Sequence, residues 1–264
     1  MKKLLLVISM GFLCHLGMAQ DSIKTQSDTL QVSSSAEHKW HGKPGMHQKN
    51  KIKVKFGKRK KGAYFGFYPT LEFGWNRFMD NGSLSVSEDN SPLRLDKGPE
   101  FSFFPIGGGV YLNKNHSVKL SALLGLTWNT YHFEKDITIL KGQDELTIET
   151  DPDKHFSKNL LRSQYLSMPV LLSIYPSGGS FVINAGVEGG LLIGGKTKQK
   201  SDELGKVKLR GNFNLNQVRY GLRFGIGYDN FNLYAKYYLS DVFAKNEGPK
   251  DFQTVAIGIG VGLF

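Results

Sequence analysis

NFNLNQVRYGLRFGIGYDNFNLYAKYYL, residues 212–239, decides the fold. Its second half puts Phe231, Leu233, Ala235, Tyr237 and Leu239 on every other position, with Tyr234, Lys236 and Tyr238 between them. An extended chain turns successive side chains to opposite faces, so this period of two predicts a strand with one apolar and one polar face. Asp229 and Asn230 separate it from a similar run, and two such residues between alternating segments signal a tight hairpin turn.

Outward from this hairpin the pattern recurs until eight strands are counted. GAYFGFYPTLEFGW (62–75) sets Phe65, Phe67, Leu71, Phe73 and Trp75 against Tyr64, Tyr68, Thr70 and Glu72. EFSFFPIGGGVYL (100–112) is the second strand. The third, HSVKLSALLGLTWNTYH, opposes Val118, Leu120, Leu124, Leu126 and Trp128 to Lys119 and Thr127. LLRSQYLSMPVLLSIY (160–175), FVINAGVEGGLLI (181–193), the two halves of 212–239, and FQTVAIGIGVGLF (252–264) complete the set. Short turns at 113–116, 176–180 and 229–230 alternate with long polar connections at 76–99, 133–159, 194–210 and 240–251. Each strand has room for the roughly 9–11 residues of a tilted membrane strand. Short turns at one rim and long loops at the other, on an even number of strands, are the signature of an outer-membrane barrel. The expected fold is all-β: an eight-stranded antiparallel up-and-down transmembrane β-barrel over 62–264, preceded by a disordered basic tail. Trp75, Tyr111, Trp128, Tyr131, Tyr175 and Tyr228 fall at strand ends, where interfacial aromatic girdles belong.

Composition agrees. With 40% hydrophobic and 12% aromatic residues the chain is not wholly disordered, and its single Cys excludes a disulfide scaffold or a Cys-rich zinc module. MKKLLLVISMGFLCHLGMAQ opens with two lysines and an apolar run, then Gly17 and Ala19 in the small positions that signal peptidase reads. Residues 1–19 are therefore expected to be a signal peptide, cleaved after Ala19. Leu13 before Cys14 does not fit a lipoprotein site. Cleavage removes the only cysteine, as suits an oxidising compartment, and takes the formal charge from +11 to +9.

That charge is concentrated in residues 20–61, a low-complexity periplasmic tail in which 38–61 carries ten Lys or Arg and no acid. Lys49, Lys51, Lys53, Lys55, Lys58, Arg59, Lys60 and Lys61 form its densest part, and Ile52, Val54 and Phe56 alternate with the lysines. A basic segment confined to an exported tail points to an anionic periplasmic surface or protein and away from nucleic acid. His38, His41 and His47 have no scaffold to make them a metal site.

If the apolar faces look at lipid, the interior receives Glu72, Lys119, Glu188, Gln217, Arg219, Arg223, Tyr234, Lys236 and Tyr238. An eight-strand barrel is just wide enough for its own side chains, and buried charges persist only when paired. The expectation is a structural charge network over Glu72, Lys119, Glu188, Arg219, Arg223 and Lys236 that plugs the lumen, with Glu188, Arg223 and Lys236 on consecutive strands as its nearest contacts. No catalytic, cofactor-binding or metal residues are expected: His132 and His155 lie near Asp136, Asp144, Glu145, Asp151 and Asp153, but nothing fixes their geometry. The glycine runs lie within strands, so they are not phosphate loops.

QYLSMPVLLSIYP (164–176), residues 212–249 and the closing AIGIGVGLF (256–264) resemble the PorT-like outer-membrane β-barrel family of Gram-negative bacteria. The resemblance implies outer-membrane residence, with outer-membrane lipids and the barrel-assembly machinery as partners; Phe264 on the last strand would be the insertion signal. It also raises a second role, a narrow pore or a helper in protein secretion. A secreted soluble barrel with its apolar face inward, binding an apolar ligand, is a third reading, and a rim hydrolase a fourth.

Overall fold

The computed structural model describes residues 63–150, 155–176, 180–201 and 205–262. The leader, the basic tail and Phe264 lie outside the described residues. Twelve strands follow in order: β1 Tyr64–Asp80, β2 Leu95–Lys97, β3 Pro99–Tyr111, β4 Val118–Phe133, β5 Ile137–Ile139, β6 Ile148–Thr150, β7 Lys158–Ile174, β8 Phe181–Ser201, β9 Gly205–Gly211, β10 Val218–Tyr228, β11 Phe231–Tyr238 and β12 Phe252–Gly262.

Eight of them pair antiparallel, each with its neighbour in the chain, in the order β1, β3, β4, β7, β8, β10, β11, β12, and β12 pairs back onto β1. The ring has no free edge, which removes the row of unpaired backbone groups that an open sheet exposes. Its outward faces are apolar: Phe67, Leu124, Leu172, Val187, Phe224 and Ile257 are all exposed. The inward faces are polar and buried, from Thr70 and Glu72 on β1 to Thr254 on β12. This inverts the usual inside–outside order of a water-soluble protein.

The strand boundaries depart from the sequence reading in four places. β1 runs past Trp75 to Asp80. The connection 194–210 is no loop: β8 continues to Ser201 and β9 folds back on it, pairing from Gly195↔Gly211 to Ser201↔Gly205. The alternation of lysine with Thr197, Val207 and Leu209 was the strand signal there. The sixth ring strand starts at Val218, because Phe213 and Asn214 both take left-handed conformations, φ 54° and 56°, and turn the chain over the rim. Finally, the long connections are not simply polar loops. They bring Leu93, Leu95, Ile137, Ile139, Phe213, Leu215, Val242 and Phe243 onto Phe78, Tyr131, Leu161 and Phe252 at the ring's mouth, an apolar cap beyond the polar interior. Tyr131 therefore packs into the cap, Phe78 beside it at 4.7 Å, and Tyr175 is also buried; neither joins an outward girdle with Trp75 and Tyr228.

Glycines make room inside so narrow a ring. Cross-strand partners are Glu72↔Gly260, Glu100↔Gly74, Glu188↔Gly221, Arg223↔Gly186 and Arg219↔Gly190, so large charged groups stand opposite residues without side chains. Small-against-large alternation of this kind fills a tapered barrel interior. A methyl group at Gly221 would meet the Tyr238 Cα at 2.7 Å, whereas at Gly189, on the outward face, it would meet nothing within 4 Å. Gly221→Ala is therefore expected to destabilise by about 1–3 kcal/mol, as overpacking does. Urea unfolding of the refolded protein should show this against a Gly189→Ala control that leaves the midpoint in place.

Candidate functional site

The interior site grows from five strands. Glu72 comes from β1, Glu100 from β3, Glu188 from β8, and Arg219, Arg223 and Lys236 from β10 and β11. All six are inward because they fall on the polar phase of the alternation, and none is more than 6% exposed. Lys236 sits at the centre: its Nζ lies 2.8 Å from Glu100 Oε1, 3.3 Å from Glu72 Oε2 and 3.4 Å from Glu188 Oε2. Arg223 bridges the outer pair, donating from Nη1 to Glu188 Oε2 at 3.0 Å and from both terminal nitrogens to Glu72.

Tyrosines close the network. Tyr238 donates its hydroxyl to Glu188 Oε1 at 2.9 Å, and Tyr234 donates to Glu100 Oε1 at 3.2 Å. The Arg219 guanidinium is 4.1 Å from the ring centres of both Tyr165 and Tyr238, so each ring offers its negative face to the cation. Asn129, with its amide oriented to suit both neighbours, donates to Glu100 Oε2 at 2.8 Å and accepts from Arg219 Nη1 at 2.6 Å. Three carboxylates thus face three cations. Their charges cancel in a space where an unpaired ion would be costly by several kcal/mol.

Two residues expected in this group stand elsewhere. Lys119 is buried near the short-turn end, its Nζ 5.9 Å from the Tyr64 ring and 5.7 Å from the Tyr175 ring. Gln217 is exposed, since the chain becomes regular strand only after it. Glu100 was missed by sequence reading. Its signal was present, because Glu100 is in phase with the buried Ser102 and Phe104 opposite exposed Phe101, but as the first residue of the expected strand it had no alternation before it to assign its face.

At the rim the loops are fastened by polar contacts. Asp80 is buried and takes hydrogen bonds from the Ser87 amide and hydroxyl and from the Asn81 and Asn90 side chains. Burial pushes its carboxyl upward, yet these donors outweigh it and hold the group below the ordinary aspartate value. Leu146 donates its amide to the Glu247 carbonyl at 2.7 Å, tying the second long connection to the fourth. The two histidines do not meet in a catalytic array. His155 is 87% exposed and 3.3 Å from Asp136, whose other oxygen accepts the Phe156 amide. His132 sits in register with Lys97 and Leu160 on the outer face, and burial with the nearby Lys158 charge lowers its basicity. Among the described residues no group of three or more His, Cys, Asp or Glu could hold a metal ion.

The family model described as an outer membrane protein beta-barrel domain matches residues 71–240, more than half of the chain. The chain belongs to that family, and outer-membrane residence follows from it. No curated protein sequence matches. The fold is similar to solved structures at low identity. Ail, the attachment invasion locus protein of Yersinia pestis, shares 10% identity over 77% of this chain and 98% of its own, with a TM-score of 0.33. Its complex with the heparin analogue sucrose octasulfate gives 12% identity over the same shares, 77% and 98%, and 0.36. The translocator domain of the autotransporter NalP from Neisseria meningitidis gives 12% identity, 78% and 89% coverage, and 0.25. At these scores the structural likeness carries no argument about activity.

Two outcomes follow. Lys236→Met leaves three carboxylates with two cations and should cost about 3–5 kcal/mol in unfolding experiments, the usual loss on breaking a buried pair; adding Glu100→Gln should recover part of it. An unchanged unfolding midpoint would remove the network from the account. For Asp80 the carboxyl's folded value is depressed, so its contribution is present above the unfolded value, about 3.9, and is lost as pH falls through the folded one. Amide exchange in 81–91 should therefore quicken on acidification below about pH 4 while β10 and β11 remain protected.

Proposed function

We propose that this member of the outer-membrane β-barrel family is an exported, PorT-like transmembrane barrel whose lumen is closed and whose role is structural or interaction-based, without catalysis. One observation carries this reading: six charged side chains of zero net charge fill the middle of the ring's interior while a belt of exposed apolar side chains surrounds it outside. A conducting pore needs a hydrated path, and an eight-strand ring packed with paired ions offers none. The apolar cap of Phe78, Leu161, Phe243 and Phe252 seals the long-loop end as well. An enzyme needs a nucleophile and base in mutual reach at an accessible site; the exposed His155–Asp136 pair instead fastens a loop.

In this reading residues 1–19 direct export, the barrel-assembly machinery inserts the ring, and the basic tail of 20–61 reaches an anionic periplasmic surface. Exposed Phe67, Leu172 and Ile257 meet lipid tails. A secreted barrel with an apolar ligand inside would require the opposite phase of every strand. Help in secretion rests on the PorT resemblance alone.

The test is Leu172→Arg. A lipid-facing arginine near the bilayer middle costs about 2–4 kcal/mol, so the variant should be depleted from washed outer membranes and lose the gel-mobility difference between boiled and unboiled samples that the parent shows. A parent recovered as soluble protein with no such difference would overturn the reading.

A further inference from the structure

Above Leu191 the β8 strand exchanges partners. Its register with β10 ends at Leu191↔Val218, and its register with β9 begins at Gly195↔Gly211. The tall hairpin that results stands on β7 and leaves a cleft of about 880 Å³ at the exchange point, walled by Trp128, Ile193, Gly194, Arg162, Lys196 and Arg210 among others. The three cations form one row across three strands, Arg162↔Lys196↔Arg210, on the same outward face as Leu166. Two further rows follow beyond it, Leu160↔Lys198↔Lys208 and Lys158↔Lys200↔Lys206.

Among the described residues this face is uncompensated. Residues 158–164, 194–200 and 205–211 contain no acid, and among the described residues none of these eight Lys or Arg is in an ion pair; Asp202 and Glu203 lie outside the described residues. Like charges directly opposite on adjacent strands destabilise a sheet. The Lys208 ammonium is held below its usual basicity, first by Lys206 and then by Lys196 and Lys198 among others. An array of this kind awaits an anion.

The position selects which anion. Arg162 lies four residues beyond Leu166, about 13 Å along a strand that rises about 3.3 Å per residue, and about 9 Å in height at a tilt near 45°. Headgroups occupy roughly the 5–8 Å beyond the hydrocarbon on each side of a bilayer. With exposed Leu166 at the upper edge of the apolar belt of β7, the cation row falls at headgroup level, and Trp128 and Ile193, in or beside the Gln164 row between them, fall where the acyl chains begin.

Resting on the membrane-embedded reading above, we propose that this cleft is a lipid site: a phosphate headgroup of an outer-leaflet lipid bridges Arg162, Lys196 and Arg210, and its acyl chain lies along Trp128 and Ile193. Neighbouring cross-strand side chains stand about 5 Å apart, a spacing one phosphate can span with separate oxygens. A soluble polyanion would find the same cations but would gain nothing from the apolar half of the cleft.

The experiment uses the full mature chain refolded in zwitterionic micelles and titrated with phosphatidic acid, followed by tryptophan fluorescence, with inorganic phosphate and a soluble polyphosphate as parallel probes. The triple variant Arg162→Gln, Lys196→Gln, Arg210→Gln is expected to bind phosphatidic acid at least tenfold more weakly. Gly194→Trp should block the cleft to a similar degree without removing charge, since a side chain begun at Gly194 meets nothing within 4 Å. Parent-like affinity in both variants would overturn the proposal, and so would polyphosphate binding as tight as phosphatidic acid. Boiled and unboiled gel lanes of the same samples separate the two levels: a shift that persists with unaltered lipid affinity defeats the lipid site alone, and its absence in the parent defeats the membrane reading.

Discussion

Everything in this molecule turns on Lys236 being within 3.4 Å of three carboxylates at once. A ring of eight strands has space inside for side chains and for little else. With the apolar residues committed to the outside, that space must be filled by polar groups, and buried polar groups must satisfy one another. Glu72, Glu100 and Glu188 against Arg219, Arg223 and Lys236 is a solution of zero net charge, completed by the hydroxyls of Tyr234 and Tyr238. The glycines opposite these side chains are part of the same solution, since the ions fit only where the facing strand gives up its own side chain.

The rim is built on different physics. There the inward positions turn apolar, at Phe78, Tyr131, Leu161 and Phe252, and the long connections fold over them. The ring thus has an ionic middle and a hydrophobic lid, while its outside passes from an apolar belt to the cationic rows of β7, β8 and β9. Each transition occurs along continuous strands, so the interior plug, the lid and the charged outer face are fixed in register by one hydrogen-bonded sheet. Among the described residues the charged face is held by its lateral strand pairs and makes no salt bridge, as an anion-binding surface requires.

Much of this was legible in the sequence because period two is a strong signal when maintained for a dozen residues. The faces of the ring strands, the tight turn at 229–230 and the interior direction of Glu72, Glu188, Arg223 and Lys236 all follow from it. What was lost falls where the signal changes meaning. Glu100 stands first in the expected strand, with no alternation before it to give it a face, and is absent from the expected interior set; the 194–210 segment alternates lysine with smaller residues and reads as polar although it pairs as a hairpin; Gln217 shares the phase of Arg219 but precedes the regular strand. The cap was not legible at all, since Leu93, Ile137, Phe213 and Phe243 are scattered single apolar residues in polar surroundings, and only the folding of separate connections onto one mouth brings them together. Lys119 has the right phase but the wrong height, which alternation cannot report.

Whether paired ions close the ring is read by single-channel recording of the full mature chain in planar bilayers. The parent should give a quiet baseline across a wide voltage range, with current steps once Glu72, Glu100, Arg223 and Lys236 are replaced together by small neutral residues. Steady open-channel currents from the parent protein would contradict it.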